Sequence, residues 1–173
     1  MKRLSYFIIV LFLISSEACG TKPGKDAEGC FKDGMAALTA HKNDEAIKDF
    51  DEAIAKNPKY AGAYFYKGTA LFALGKSKEA IDAYNKSVEF APDIPQTYYN
   101  RGNALASLGM HGEAIASYDK TIKLAPGHVK AYYNKGLEQM RMGRKDEAAE
   151  TFRKAHDLDP NVPIPDTGAV QKK

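Results

Sequence analysis

Few side chains in this 173-residue sequence could do chemistry. They are four histidines, two cysteines and some adjacent carboxylates. Catalysis by histidine needs a base held beside a nucleophile or a metal. His41, His111, His128 and His156 fall instead on turns at scattered levels and read as solvated surface residues. HExxH, paired CxxC, GxSxG and a phosphate-cradling glycine loop are all missing. Cys30 has the chemistry of a nucleophile, but it occupies a position that is aromatic elsewhere in the chain, so it reads as buried and structural. The pair Asp51 and Glu52 reads as the solvated face of a surface helix. The sequence is therefore that of a non-enzyme, with no catalytic, cofactor-binding or metal-ligating set.

Cys19 offers a different chemistry. It follows Lys2 and Arg3, then an apolar stretch from Leu4 to Ile14 broken only by Ser5. That stretch is well short of the roughly 20 residues a spanning helix needs. A basic start, a short apolar run and then small residues make a secretory signal. A buried N-terminal helix is the competing reading, but the run is uniformly apolar and carries no helical stripe. Ser16 and Ala18 are the small residues at a cut that would leave Cys19 first. Ser-Glu-Ala-Cys resembles a bacterial lipobox, with Ser16 where that motif has Leu. The resemblance implies a signal peptide over 1–18 and a lipidated Cys19. A polar tether over 19–26 then leads to the folded part. Ordinary cleavage, giving a secreted protein without lipid, is the alternative. Gly20 is not the aspartate that marks inner-membrane retention, so in a Gram-negative cell the outer membrane is expected.

The elements that would position a site repeat. Pro58, Pro92, Pro126 and Pro160 are spaced by 34 residues. The register is 27–60, 61–94, 95–128 and 129–162. Within it, position 8 is Gly34, Gly68, Gly102 and Gly136, and position 20 is Ala46, Ala80, Ala114 and Ala148. Position 24 is Phe50, Tyr84, Tyr118 and Phe152, and position 4 is Cys30, Tyr64, Tyr98 and Tyr132. Apolar spacing of three and four predicts two helices per unit. Gly75, Gly109 and Gly143 end the first helix. Ser77 and Asp146 are candidate caps of the second, and the proline closes it. No alternating β-branched run predicts a strand. Positions 21 and 28 are Ile47/Ile54, Ile81/Val88 and Ile115/Ile122, then Ala149/His156. The array is expected to end there without a capping helix, followed by a mobile tail over 161–173. A monomer is expected, with an oligomer contact at that end as the competing reading.

This pattern resembles the tetratricopeptide repeat family over residues 27–160. The family has Gly at 8, Ala at 20, an aromatic residue at 24 and Pro at 32, and all four units have them. Gln139 departs from it at an apolar position, and His41 stands where the hairpin glycine should be. The resemblance implies an all-α fold of four tandem helix-turn-helix repeats in a right-handed superhelical solenoid. Partner residues of the family, on the first helix of each unit, map here to Phe31, Phe65, Tyr66, Thr69, Phe72, Tyr99, Asn100, Asn103, Lys130, Tyr133, Asn134, Leu137 and Met140. Amides can pair with a peptide backbone, and the aromatic and Met side chains can hold apolar groups. A Lys/Asn clamp for acidic C-termini is excluded, because position 5 is aromatic. The function implied is a scaffold that binds a protein or peptide of the cell envelope, attached to the membrane through lipid. A net charge of +3 does not suggest nucleic acid. A peptidoglycan or other glycan-binding module is the alternative.

Overall fold

A computed structural model of the chain describes residues 24–168. The segment read as a signal peptide, Cys19, most of the tether and residues 169–173 lie outside them. The described residues form α1 (Ala27–Thr39), α2 (Asn43–Lys56), α3 (Ala61–Ala73), α4 (Ser77–Phe90), α5 (Pro95–Ser107), α6 (His111–Leu124), α7 (Val129–Arg141) and α8 (Lys145–Leu158). Among them there is no strand, and no helix is long and apolar enough to cross a membrane. Each helix packs on its chain neighbours. In addition α1 touches α3, α3 touches α5 and α5 touches α7, whereas the even helices do not meet one another. The odd helices are thus the crowded, inner layer of a four-unit solenoid.

The two helices of each unit approach closely at position 8. A Cβ on Gly34, Gly68, Gly102 or Gly136 would stand 2.6–2.7 Å from the ring at position 24 of the same unit. Glycine is required there for space, and the ring fills the gap. A second glycine, after each first helix, is required for conformation. Gly75, Gly109 and Gly143 have φ of +75°, +73° and +74°. The next amide then reaches back around the turn: Lys76 N donates to the Leu71 carbonyl at 3.0 Å and Met110 N to that of Leu105 at 3.0 Å. His41 takes this conformation in the first unit with φ +58°, and the same turn closes through Lys42 N and the Ala37 carbonyl.

The expected caps at Ser77 and Asp146 are corrected. Both residues lie inside the helices, and the cap positions of α4 and α8 are Lys76 and Arg144, without a side-chain hydrogen bond. Acidic residues in the first turns, such as Glu79 and Glu147, face the positive helix ends instead. Side-chain caps occur at Asp26, which accepts from Gly29 N at 2.8 Å, and at His128, which accepts from Ala131 N at 3.1 Å.

No helix follows Leu158 among the described residues. Residues 161–168, the first part of the expected mobile tail, have a definite course. His156 Nδ1 lies 2.8 Å from the Val162 carbonyl, Thr167 is 7% exposed, and Gly168 lies beside the Lys145 ammonium.

Candidate partner-binding groove

The sequence-derived groove residues all lie on the inner, odd-numbered helices. Phe31 is on α1; Phe65, Tyr66, Thr69 and Phe72 are on α3; Tyr99, Asn100 and Asn103 are on α5. Lys130, Tyr133, Asn134, Leu137 and Met140 are on α7. All are half-buried except Lys130, which is exposed. Half-burial has a structural cause: the position 5 rings lean on the second helix of their own unit. Phe65 lies 6.1 Å from the Tyr84 ring, Tyr99 6.0 Å from Tyr118, and Tyr133 5.4 Å from Phe152. Phe31 meets three rings, those of Phe50, Tyr60 and Tyr66.

The amides join neighbouring units. Tyr118 Oη donates to Asn103 Oδ1 at 2.9 Å, and Asn134 Nδ2 donates to the same oxygen at 2.9 Å and to Tyr99 Oη at 3.2 Å. One unit earlier, Tyr84 Oη donates to Thr69 Oγ1 at 3.4 Å. Burial raises the Tyr84 phenol above its ordinary range, and hydrogen bonding with Thr69 and Asn100 opposes this. Tyr118 is pushed up further, by burial first and then by the nearby Glu138 charge. Position 24 therefore carries a hydroxyl only where positions 9 and 6 can bond it. Phe50 faces Met35 and Tyr66 instead, and Phe152 is matched by Leu137 at position 9. The arrangement leaves two polar atoms uncommitted. Asn103 Nδ2 and Asn134 Oδ1 make no hydrogen bond among the described residues. A donor and an acceptor on adjacent inner helices can serve one extended chain.

Three histidines differ from the solvated reading. His111 Nδ1 lies 2.6 Å from Glu138 Oε2, and Arg141 binds the other oxygen of that carboxylate. Glu138 is only 2% exposed, so its charge is held by these two partners. His128 caps α7 and stacks on Tyr99 with centroids 4.7 Å apart. His156 holds the tail. His41 alone is exposed. Asp51 is more than a solvated carboxylate, since Lys67 of the next unit reaches it at 2.6 Å. Cys30 is buried, and its sulfur lies 3.9 Å from Glu52 Oε2.

Glu138 was not singled out by sequence. Its signal is register: position 10 is Ala36, Ala70 and Ala104 before it becomes Glu138. Gln139, the other departure in this helix, is buried and donates to Glu147 at 3.3 Å, while its Oε1 has no partner. It lines a pocket of ≈ 300 Å³ with Tyr132, Lys135, Glu147, Glu150, Thr151 and Lys154. None of these is a groove position. No cluster that could hold a metal ion occurs among the described residues.

The tetratricopeptide repeat model matches residues 31–95, 95–128 and 129–162. The chain belongs to the tetratricopeptide repeat family. Its solved relatives include MamA, at 30% identity and a TM-score of 0.76, with 78% of each chain covered. MamA from Desulfovibrio magneticus RS-1 is similar at 25% identity and a TM-score of 0.74, covering 78% of this chain and 76% of that one. MamA MSR-1 is similar at 25% identity and a TM-score of 0.72, with 80% of each covered. None of the curated proteins matches the chain. Tetratricopeptide repeats and these neighbours support a protein–protein interaction scaffold, a fold that is in general non-enzymatic.

Proposed function

We propose that this tetratricopeptide repeat protein is an exported scaffold, lipid-anchored through Cys19, that binds an extended segment or short helix of a cell-envelope protein. The observation that supports this most is the uncommitted pair Asn103 Nδ2 and Asn134 Oδ1, set beside the Tyr99 and Tyr133 rings on adjacent inner helices. Backbone-directed amides give affinity, and the rings and Met140 select apolar side chains. A photocrosslinker at Tyr99 in intact cells should trap a discrete protein partner. The same probe at the exposed outer residue Asp82 should not. Equal capture from both sites refutes the groove, and enrichment of cell-wall glycan without protein favours the glycan-binding alternative.

The anchor reading rests on the sequence around Cys19. One acyl chain binds membranes only marginally, so firm attachment needs more than one. The outer membrane is the expected destination in a Gram-negative cell. Metabolic labelling with a palmitate analogue should mark the wild-type protein and spare Cys19→Ala. Equal labelling of both would leave a secreted adaptor without lipid.

A further inference from the structure

Each unit is tied to the next by one outer polar rung. Lys67 reaches Asp51 at 2.6 Å, Arg101 reaches Asn85 at 3.0 Å, and Lys135 reaches Asp119 at 2.6 Å. In register, a cation at position 7 binds an acceptor at position 25 of the unit before it. At the two ends of the array the signs are exchanged. Position 7 of the first unit is Asp33, and position 25 of the last is Arg153. Asp33 pairs with Lys25, and both side chains are well exposed. Arg153 donates to the Ala149 carbonyl one turn earlier at 3.3 Å and has no carboxylate partner among the described residues.

The α1 end also keeps the small residues of a docking face. The second and third units dock through small residues at positions 3 and 10 of their first helices, whereas the fourth has Ala131 and Glu138 there. Ala63 with Ala70, and Thr97 with Ala104, are fully buried there. On α1 the same positions are Gly29 and Ala36, and Ala36 is exposed. This is a docking face with no unit on it among the described residues.

The opposite end is covered. Position 17 looks toward the following unit, as Ser77 bonded to Ser107 and His111 beside Glu138 demonstrate. Lys145 is position 17 of the last unit, and Gly168 lies next to it. His156, at the other end of α8, meets the Val162 carbonyl. The seven residues 162–168 would span about 23 Å if extended, and the 14-residue α8 is about 21 Å long. The segment thus runs back along the face of α8 that a fifth unit would occupy.

We infer that the outer face of α8 docks α1 of a second copy of this chain head to tail, with Arg153 of one copy on Asp33 of the next, and that residues 162–168 cover that face until displaced. The surroundings of Asp33 favour a cation: burial, followed by the charges of Asp33, Glu45 and Glu52, raises the Asp49 carboxyl. Arg153 brings a guanidinium that can grip a carboxylate with two donors. Lys25 holds Asp33 only through an exposed ion pair, which is easily exchanged.

Sedimentation velocity of the full chain in mild detergent tests this, over roughly a hundredfold range of concentration. A chain stopped after Pro160 should associate at a concentration about tenfold lower than wild type. Full-length Thr167→Arg, which dislodges the strap without shortening the chain, should do the same. Asp33→Arg in either background should abolish association, and Arg153→Asp added to it should restore it. Uncovered chains that stay monomeric with native circular dichroism overturn the inference. So does association that ignores both charges, or a charge swap that fails to restore it.

Discussion

Gly102→Leu should lower stability by about 3 kcal/mol, the upper end of the cost of overpacking a core. The first added atom already decides the direction. A Cβ at Gly102 would stand 2.6 Å from Cε1 and 2.9 Å from Cδ1 of Tyr118, closer than real Cβ atoms come. The ring has nowhere to go. Tyr118 is 1% exposed, and its hydroxyl is fixed on Asn103. Leucine adds three more carbons to the same gap, so α5 and α6 must separate. Because an array is held by nearest-neighbour interfaces, the loss also loosens the units on either side. A thermal melt followed by circular dichroism should fall by roughly 6–12 °C, using a few degrees per kcal/mol for a chain of this size. Gly112→Ala is the control. It lies in α6 with nothing within 4 Å of a Cβ and should gain the several tenths of a kcal/mol by which alanine favours a helix. A Gly102→Leu melt within a degree or two of wild type would refute the close-approach account.

Much of the fold was legible because the constraints repeat. A Gly at position 8 and a ring at position 24 mean little once, but four coincidences at one period identify a hairpin. The turn glycines were readable for the same reason, and so was the exception His41, which adopts the glycine conformation in their place. Caps were misread because local propensity was applied to Ser77 and Asp146 without the helix start, which falls one or two residues earlier. Three of the four histidines were misread for another reason. Their partners lie far along the chain, as with His111 and Glu138, and turn position says nothing about what the next unit brings.

For the candidate groove residues, the helix face they share was legible, and their hydrogen bonding was not. Tyr84 and Tyr118 at position 24 occur with Thr69 and Asn103 at position 9, whereas Phe50 and Phe152 occur with Met35 and Leu137. That matching was present in the sequence and signals a polar network in the middle of the array with apolar ends. It gives Asn103 and Asn134 a structural bond as well as a free polar atom. A groove substitution therefore reads cleanly only if stability is measured beside binding. The strap and the exchanged rung were less visible, because each needs a known direction for position 7, 17 or 25 before its departure means anything.

Adjacent tyrosines give the sharpest separation of fold from function. Tyr98→Ala should cost about 3–5 kcal/mol, the range for deleting a buried aromatic side chain. Tyr98 is 6% exposed, and its hydroxyl donates to the Pro92 carbonyl at 2.9 Å, pinning the turn that enters the third unit. Arg101 and Lys120 lie over its ring at 5.2 and 5.6 Å, adding cation–π attraction. Tyr98→Phe keeps the ring and should lose only about 1 kcal/mol, the net worth of one hydrogen bond. Tyr99 is half-buried, touching Tyr118, His128 and the Asn134 amide with one side of its ring. Tyr99→Ala should cost only about 1–2 kcal/mol of stability, because little of a half-buried ring's area returns to water. Its larger effect should be on partner capture, which should fall at least tenfold at a temperature where the variant is fully folded. Chemical denaturation measures the first quantity, and capture by a crosslinker at the neighbouring groove position Asn100 measures the second. If Tyr99→Ala unfolds as readily as Tyr98→Ala and captures partner as well as wild type, the two residues have one job, and the groove loses its central aromatic contact.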